Sequence, residues 1–404
     1  MILPILTLED NLMDTTCIAK TDAIRIYEFW KKLADKENGG FYGEVDFNLN
    51  IHKEAYKGVI LNSRILYFFS EYYLNYQNKE SLDYAKMAFD FLKKAIDKDN
   101  GGLYWSLDYL GNPLDTTKHT YNIAFGIYAL SHYFLATKNT EALDIAFDLY
   151  KTIETKCREK DQNHYYLEEQ TKFFLYKPND ELSENGVLAT RTMNTALHVL
   201  EAYTALYQAS KNQEVKISLI SIINLFLTKI YNPSKKRLEV FFDKDYHSLL
   251  DLESYGHEIE TSWLLKEASD QVNDSELSKQ VREVSLALVK SVTERAYHKP
   301  FIVNECEKGI VDKTRVWWVE AEGVNGYLNA YQMTKDKKYL TIANDILEGI
   351  QTYFIDKREN SEWFWDLDDT NKPSSKKDIV EPWKCPYHNG RMCFEIRKRL
   401  NHDN

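Results

Sequence analysis

The chain has 404 residues, of which 44% are hydrophobic and 28% are charged, and its formal net charge is −11. This composition is typical of a globular protein with a large core, and the negative charge argues against nucleic acid or an anionic membrane as a partner. The 28 tyrosines and 8 tryptophans suit faces that stack on sugars, although such residues also pack between helices.

Helical periodicity dominates the sequence and predicts twelve amphipathic helices. In chain order they span 14–34, 52–77, 79–97, 117–137, 139–157, 187–210, 212–230, 254–271, 275–295, 316–333, 337–354 and 387–400. Short aromatic segments that resemble β-strands lie between successive pairs, at 39–46, 101–105, 164–167, 237–242, 301–304 and 362–366. The segments at 39–42 and 101–104 are nearly identical, and the whole unit recurs six times, about every 60–70 residues.

Six helix–helix units of this length predict an all-α fold, a closed (α/α)6 barrel of twelve helices with the β-like segments in the loops at one end. In such a barrel one helix of each pair lines the inside, and the connections at one end form the pocket. No linker rich in proline, glycine or serine interrupts the series, so we predict a single catalytic domain over residues 1–404. The alternative is an open α-solenoid, which favours a polar concave face, whereas these loops carry aromatic residues.

The cysteines and the N-terminus bear on location. The five cysteines (17, 157, 306, 385 and 393) are odd in number and form no C-x-x-C pair, which favours reduced thiols in the cytoplasm over a disulfide framework or a zinc ribbon. The first ten residues lack a basic stretch and a long apolar stretch, so a signal peptide is not expected. No run of 18 apolar residues occurs, so a membrane span is not expected either.

Unusual polar groups fall on the second helix of each unit. They are Arg64, Tyr121 with Asn122, Asn194 with His198, His257 with Glu260, the group Trp317, Trp318, Glu320 and Glu322, and His388. Spacings of four and three residues place Asn194 with His198, and His257 with Glu260, on one helix face. Each residue alone is more often a surface or core residue. Equivalent positions in six repeats together predict groups that converge on the barrel axis.

Three histidines and a glutamate leave three kinds of chemistry open. His198-x-x-Glu201 and His257-x-x-Glu260 superficially resemble the pairs of di-iron bundles, but their order is reversed and further glutamates are missing. Acid–base chemistry without a metal is the second possibility, since two imidazoles on opposite faces of a substrate can act as base and acid near neutral pH. Glycoside hydrolysis is the third. It needs two opposed carboxylates, and it leaves the histidines unexplained.

The most distinctive stretch is WKCPYHNGR, from Trp383 to Arg391. It places an aromatic plate, an imidazole and a guanidinium in one short turn, and its proline predicts that His388 opens the final helix. Further motifs are GGFYGEVDF from Gly39, Asn62-x-Arg64, MNTALHVLEA from Met193, GHEIE from Gly256 and WWxxAE from Trp317. Together they resemble the N-acylglucosamine 2-epimerase superfamily over about residues 39–395, and the Trp-Lys-x-Pro-Tyr-His form resembles its cellobiose 2-epimerase branch.

This resemblance implies the closed barrel and a reversible epimerisation at C2 of the reducing-end sugar of β-1,4-linked disaccharides such as cellobiose, lactose and mannobiose. The sugar ring opens, a base removes the C2 proton to give a cis-enediol, and a second group returns a proton to the opposite face.

The resemblance also implies roles for individual residues. The implied catalytic set comprises His257 and His388 as acid/base pair, His198 for ring opening, Glu260 to orient a histidine, and Arg64 beside the enediolate oxygen. Sugar contacts are implied for Tyr121, Asn194, Trp317, Trp318, Glu322 and Trp383. Arg391 is expected to be structural. Which of Trp317 and Trp318 stacks on the sugar, and which imidazole is the base, stay open at this point.

No metal or nucleotide cofactor is implied, and the chain carries neither G-x-G-x-x-G nor G-x-x-x-x-G-K-[ST]. The expected partner is a small-molecule disaccharide, without nucleic acid or membrane, and we expect a monomer. The alternatives are a monosaccharide or N-acylglucosamine 2-epimerase, an aldose–ketose isomerase, and, from other classes, a glycoside hydrolase or a sugar-binding protein without activity.

Overall fold

The computed structural model describes residues 8–159, 169–177 and 186–400. Within these ranges it contains twelve α-helices, which confirms the predicted number. They are α1 (Leu8–Lys32), α2 (Val59–Tyr76), α3 (Glu80–Lys94), α4 (Thr120–Thr137), α5 (Thr140–Thr152), α6 (Met193–Ser210), α7 (Gln213–Leu225), α8 (Tyr255–Val272), α9 (Ser275–Arg295), α10 (Trp317–Thr334), α11 (Lys337–Gly349) and α12 (His388–Leu400). Helices α5, α7 and α11 each continue into a five-residue π-helical segment, at Ile153–Cys157, Phe226–Ile230 and Ile350–Phe354.

The even-numbered helices form a closed inner ring. Helices α2, α4, α6, α8, α10 and α12 contact one another in that order, and α12 contacts α2 again. The odd-numbered helices pack outside this ring, with α3 on α2, α5 on α4, α7 on α6, α9 on α8, α11 on α10 and α1 on α12. This arrangement is the predicted (α/α)6 barrel.

The two rings differ in sequence as their surroundings require. Helices α2, α4, α6, α8 and α10 each have 18 residues and are buried on most sides, so apolar residues extend round more of the helix than one stripe. Four outer helices begin after an Asn or Asp whose side chain accepts a hydrogen bond from a first-turn amide. These capping residues are Asn139, Asn212, Asp274 and Asp336. The caps fix where the outer helices start.

Seventeen short strands lie in the connections of the described ranges. They are β1 (Lys57–Gly58), β2 (Ser106–Leu107), β3 (Pro113–Asp115), β4 (Lys118–His119), β5 (Glu169–Gln170), β6 (Tyr176–Lys177), β7 (Arg191–Thr192), β8 (Tyr231–Asn232), β9 (Arg237–Leu238), β10 (Phe241–Phe242), β11 (Leu252–Ser254), β12 (Tyr297–His298), β13 (Phe301–Ile302), β14 (Glu305–Glu307), β15 (Ile310–Asp312), β16 (Arg315–Val316) and β17 (Asp366–Leu367). The predicted segments at 237–242, 301–304 and 362–366 contain or reach strands, whereas 39–46 and 101–105 form isolated bridges. The predicted segment at 164–167 lies outside the described residues.

At one end of the barrel, the strand that leads into an inner helix pairs antiparallel with a strand from the next unit. The pairs are β1 with β2, β4 with β5, β7 with β10, β11 with β14 and β16 with β17. The chain before α12 completes the ring, because Val380 pairs with Val45 of the first unit. These pairings fix the start of each inner helix, which is where most of the predicted site residues lie.

Buried ion pairs tie the repeated loops to this ring of strands. Lys57 Nζ donates to Asp35 over 2.7 Å, and Lys118 Nζ donates to Asp97 over 2.9 Å, at equivalent places in the first two units. Gly40 in the first of these loops has a φ of +68°, and a Cβ there would lie 2.7 Å from the Phe91 ring. The near-identity of the two segments therefore reflects one loop structure used twice.

Two inner helices start six or more residues later than predicted. Helix α2 begins at Val59 rather than near residue 52, because residues 57–58 form β1. Helix α6 begins at Met193 rather than at 187, because residues 191–192 form β7 and Thr192 Oγ1 accepts a hydrogen bond from the Thr195 amide. Pairing of the strands overrides the helical periodicity at these positions. In the described part of the chain, no helix has the length and apolar character needed to cross a membrane.

Candidate active site

A cavity of about 410 Å³ opens at the strand end of the barrel, among the N-termini of the inner helices. Its volume lies within the range that is usual for sites of small molecules. Ten of the eleven predicted site residues line it, namely Arg64, Tyr121, Asn194, His198, His257, Glu260, Trp317, Trp318, Trp383 and His388. The eleventh, Glu322, lies behind the His388 imidazole. The fold thus brings together residues that are more than 300 positions apart in sequence.

His198 is held from behind by a carboxylate of its own helix. Its Nδ1 donates to Glu201 Oε2 over 2.9 Å, since a spacing of three residues places both side chains on one helix face. The rings of Tyr121 and Phe125 lie 5.0 and 4.7 Å from the imidazole. Burial lowers the pKa of His198, and Glu201 opposes that effect. The imidazole is therefore neutral at neutral pH, with Nε2 left for a ligand.

His257 has a neutral partner. Ser254 Oγ and His257 Nδ1 form a hydrogen bond of 2.7 Å, and the Trp318 ring lies 4.7 Å from the imidazole. Gly256 permits this close packing, because a Cβ there would lie 2.5 Å from the Trp318 ring. Burial lowers the pKa of His257, and the nearby imidazoles of His198 and His388 lower it further.

His388 is the first residue of α12, which confirms the predicted helix start. Its Nδ1 donates to Glu322 Oε1 over 2.8 Å. The rings of Trp317 and Trp318 lie 5.4 and 5.5 Å from the imidazole, so Trp318 contacts both His257 and His388. Burial lowers the pKa of His388, and the Glu322 carboxylate opposes that effect.

Arg64 brings a positive charge to the wall of the cavity. Its Nη2 donates to Tyr121 Oη over 2.8 Å and its Nη1 to the Trp383 carbonyl oxygen over 3.2 Å. The guanidinium stacks on Phe125 and Tyr387, at 4.2 and 4.9 Å from the ring centroids. Because these oxygen acceptors are uncharged, the positive charge of Arg64 is available to an oxyanion in the cavity.

Two carboxylates have partners other than the expected ones. Glu260, expected to orient a histidine, accepts a hydrogen bond from Arg391 and lies 3.9 Å from His388 Nδ1. Glu322, expected to contact the sugar, is fully buried and bonds to His388, Arg391 and the Trp263 indole nitrogen. Glu322 takes the orienting position because α10 packs directly against α12.

The predicted tryptophans differ in their exposure. Trp317 is only 2% exposed, and Lys384 Nζ lies 4.7 Å from its ring centroid. Trp318 and Trp383 are half-buried. The Trp383 ring lies 5.7 Å from Trp105 and 5.9 Å from Tyr121. Of the predicted tryptophans, Trp318 and Trp383 are therefore the ones that present free surface in the cavity.

Three buried carboxylates surround one guanidinium behind the cavity. Arg391 donates from Nη1 to Glu201, and from Nη2 to Glu260 over 2.5 Å and to Glu322 over 2.7 Å. Burial disfavours ionisation of all three, but the charge of Arg391 and a bonded histidine hold the pKa of Glu201 and Glu322 below the usual range. Burial and the neighbouring Glu322 instead raise the pKa of Glu260. One cation thus bonds to all three acidic side chains, and Glu260 is the one of the three whose pKa is raised.

The same cluster contains a geometric metal candidate. Ligand atoms of Glu260, Glu322 and His388 all lie within 4.8 Å of one another. Arg391 Nη2 already bridges the two carboxylates, so a cation bound there would meet the guanidinium charge. The donor set is therefore better suited to an internal ion-pair network than to a metal ion.

Some residues that orient a histidine or line the cavity lie outside the predicted set. Glu201 and Ser254 orient His198 and His257, and the signal for both is the spacing of three residues from a histidine. The outer part of the cavity is lined by loop residues that carry no periodic signal, namely Asn304, Asp312, Trp365, Asp366 and Lys377.

The family described as N-acylglucosamine 2-epimerase (GlcNAc 2-epimerase) matches residues 40–389. A protein described as cellobiose 2-epimerase from Eubacterium cellulosolvens is 47% identical over 391 residues, which cover 93% of this chain and 96% of that protein. A cellobiose 2-epimerase from Ruminococcus albus is 45% identical over 375 residues, with the same coverage. The crystal structure of a sugar epimerase from a ruminal bacterium is 43% identical, has a TM-score of 0.93, and covers 97% of this chain and 100% of that chain. The chain therefore belongs to the N-acylglucosamine 2-epimerase family.

Proposed function

We propose that the protein is a cellobiose 2-epimerase, which interconverts glucose and mannose at the reducing end of a β-1,4-linked disaccharide. The observation that carries this proposal is the pair His257 and His388, two imidazoles from different helices that reach one cavity. A hydrogen bond holds Nδ1 of each imidazole, so each has Nε2 left for the substrate. The similarity to cellobiose 2-epimerases of two other organisms supports the substrate class.

Ring opening comes first and is assigned to His198. Its neutral Nε2 accepts the proton of the O1 hydroxyl and returns a proton to O5 as the C1–O5 bond breaks. The product is an open-chain aldehyde, and no net proton is gained or lost. Glu201 fixes the ring and its tautomer through Nδ1.

Inversion at C2 uses the other two imidazoles. One removes the C2 proton, the C–H electrons form the C1=C2 bond, and the carbonyl electrons move to O1. Arg64 stabilises the negative charge on O1, which is larger in the transition state than in the aldehyde. The second imidazole then delivers its proton to the opposite face of C2, and the C1=O bond forms again. Each proton transfer of this kind contributes roughly 10²–10⁴-fold to the rate.

His257 and His388 have hydrogen-bond partners of different charge. This difference decides which of the two imidazoles holds the proton that they exchange through the substrate. Glu322 is a carboxylate and stabilises the imidazolium form of His388. Ser254 offers His257 a neutral hydroxyl. When the pair holds one proton, that proton favours His388 over His257, and His257 is then the base for the substrate epimer whose C2 proton faces it.

The outer part of the cavity supports a disaccharide over a monosaccharide. Beyond the histidines it continues past Asn304, Asp312 and Trp365, which offer an amide, a carboxylate and an aromatic face to a second sugar ring. Lys377 Nζ lies 5.1 Å from the Trp365 ring centroid at this outer edge. Asn304 Nδ2 donates to Asp312 over 2.9 Å, so these two groups hold each other in place. A free monosaccharide bound at the imidazoles would make no contact with them or with Trp365.

Incubation with cellobiose in D₂O tests the proposal. We expect deuterium at C2 of the reducing-end sugar and the appearance of glucosyl-mannose, both followed by NMR. His388→Asn should abolish both signals, whereas His298→Asn, at an exposed position outside the cavity, should leave them unchanged. The proposed chemistry uses no metal or cofactor, so the activity should survive dialysis against a chelator.

The same assay separates the alternatives. Absence of label and of a new epimer from cellobiose, lactose and mannobiose would refute the proposal. Turnover of N-acetylglucosamine or free glucose but not of disaccharides would identify a monosaccharide epimerase. Accumulation of a ketose would identify an isomerase, and release of glucose from cellobiose a glycoside hydrolase.

The proposal also covers the cellular location of the enzyme and its oligomeric state. All five cysteines are free thiols, which is typical of a reducing compartment, so we place the enzyme in the cytoplasm. The cavity takes its residues from a single chain, and we propose that the enzyme acts as a monomer. Size-exclusion chromatography with light scattering tests the second statement.

A further inference from the structure

We propose that Arg391 is a positioning residue for the acid/base chemistry, because it holds the carboxylates that orient His198 and His388. This inference rests on the proposed epimerase function. Arg391 lies on the last helix, one turn after His388, and the sequence alone favours a structural role for it.

One guanidinium is linked to two imidazoles through two carboxylates. Arg391 Nη1 donates to Glu201, whose other oxygen accepts from His198 Nδ1 over 2.9 Å. Arg391 Nη2 donates to Glu322 Oε1 over 2.7 Å, and the same oxygen accepts from His388 Nδ1 over 2.8 Å. A change in the position of this guanidinium would therefore move both His198, the ring-opening imidazole, and His388, one of the two imidazoles that act at C2.

The guanidinium plane is itself fixed. It lies between the rings of Tyr387 and Trp263, at 4.2 and 4.8 Å from their centroids. The same two rings also bond to the carboxylates: Tyr387 Oη donates to Glu201 over 2.6 Å, and Trp263 Nε1 donates to Glu322 over 2.9 Å. A planar fork can satisfy this arrangement, whereas a lysine ammonium offers one point charge and no stacking face.

Loss of this cation changes the chemistry of the imidazoles as well as the packing. Glu201 and Glu322 are buried, and without a cation they take up protons, since a buried carboxylate needs a partner to stay ionised. A protonated Glu322 no longer stabilises the His388 imidazolium, and a protonated Glu201 no longer fixes the His198 tautomer. Both imidazoles then lose their preferred proton position.

A second cavity gives access to Arg391 from the other end of the barrel. It has a volume of about 200 Å³ and is lined by Glu201 and Arg391 on its inner side. Glu71, His132 and Lys398 line it as well, and the side chains of all three are partly exposed. A small cation can therefore reach Glu201 and the position of the Arg391 guanidinium without passing through the sugar site.

Chemical rescue of Arg391→Ala tests the proposal. We expect kcat for cellobiose to fall at least about 10²-fold, the scale of a 1 Å misplacement of catalytic groups, with KM changed less than about threefold. Guanidinium chloride, at concentrations below those that unfold the protein, should raise the kcat of Arg391→Ala at least about tenfold under saturating cellobiose. Lys398→Ala is the matched control, since it lines the same cavity but bonds to Glu267 and Glu395; its kcat should not respond to guanidinium.

Arg391→Lys keeps the inference testable where alanine prevents folding. It should retain the wild-type melting behaviour, lose kcat with KM preserved, and show His388 nitrogen NMR signals without the wild-type preference for a proton on Nδ1. A folded Arg391 variant with kcat within about threefold of wild type, or a folded Arg391→Ala whose kcat guanidinium leaves unchanged, would overturn the inference. Failure of the proposed function looks different, because the wild-type chain itself would then turn over no disaccharide.

Discussion

Replacing Glu322 by glutamine isolates the contribution of one carboxylate to the acid/base pair. The side chain keeps its shape, but His388 Nδ1 loses the charged acceptor at 2.8 Å, and Arg391 loses a charged partner at 2.7 Å. A hydrogen bond to a charged group contributes about 1.5–3 kcal/mol, and each 1.36 kcal/mol changes a rate about tenfold. We therefore expect kcat to fall by roughly one to two orders of magnitude, with little change in KM because Glu322 does not line the cavity.

The pH dependence of kcat in this variant should change in a defined direction. Glu322 raises the pKa of His388 against the effect of burial. Without that carboxylate the imidazolium loses its proton at lower pH, so the basic limb of the kcat profile should move to lower pH. Initial rates of epimer formation from saturating cellobiose, measured by NMR across the pH range, give kcat at each pH. They therefore also give the position of the basic limb of the profile.

Glu320→Gln is the matched control for this experiment. Glu320 lies two residues earlier on the same helix and is equally buried, but it accepts hydrogen bonds from the Ile302 amide instead of contacting the site. Burial raises its pKa well above the usual range, so the neutral amide replaces a neutral acid. Wild-type kcat with an unshifted profile in Glu322→Gln would refute the assigned role. An equal loss in Glu320→Gln would point to disturbance of α10 instead.

Further changes test the sugar platform, the packing around it and the repeated loops. Trp318→Ala should raise KM for cellobiose about tenfold or more through loss of a stacking face, whereas Trp317→Ala, at a buried position, should lower the free energy of unfolding in urea by about 3–5 kcal/mol. Gly256→Ala should lower kcat on the order of 10²-fold, because its Cβ would lie 2.5 Å from the Trp318 ring and displace it. Lys118→Met should destabilise the protein by about 3–5 kcal/mol at neutral pH, because it leaves the Asp97 carboxylate buried without its cation. Although burial opposes it, bonds from Asn100 and Lys118 lower the pKa of Asp97 to about 2. The stability from this pair is therefore present above about pH 4 and lost as the pH falls towards 2, so acid unfolding should show the wild type and the variant converging.

Four site residues occupy the same position of their inner helices, but the sequence shows this only once the true helix starts are known. Arg64, His198, Glu260 and Glu322 are each the sixth residue of their inner helix, counted from Val59, Met193, Tyr255 and Trp317. Periodicity finds the helices and their polar positions. It places the starts of α2 and α6 about six or seven residues early, because strand pairing, a long-range interaction, sets those starts.

The partners of the imidazoles were predictable only in part. The bond from His198 to Glu201 is local and follows from a spacing of three residues. The bond from His388 to Glu322 joins residues 66 positions apart, and it depends on α10 being the neighbour of α12 in the ring. Arg391 shows the same limit, since its position one turn after His388 says nothing of the carboxylates that other helices bring to it.

The direction of the inner helices explains why the cavity favours negative charge on the substrate. All six inner helices begin at the cavity, and each N-terminus acts as about half a positive charge, so that this end, together with Arg64, favours an oxyanion. Arg64 also lowers the pKa of His198 and His388, whereas Glu201 and Glu322 on their far side oppose that effect. These two imidazoles thus lie between the positive charge of Arg64 on one side and a carboxylate on the other. When His388 removes the C2 proton of the other epimer, an enediolate forms in front of it and an imidazolium forms next to Glu322. This arrangement then stabilises the separated charges of the transition state more than the neutral sugar.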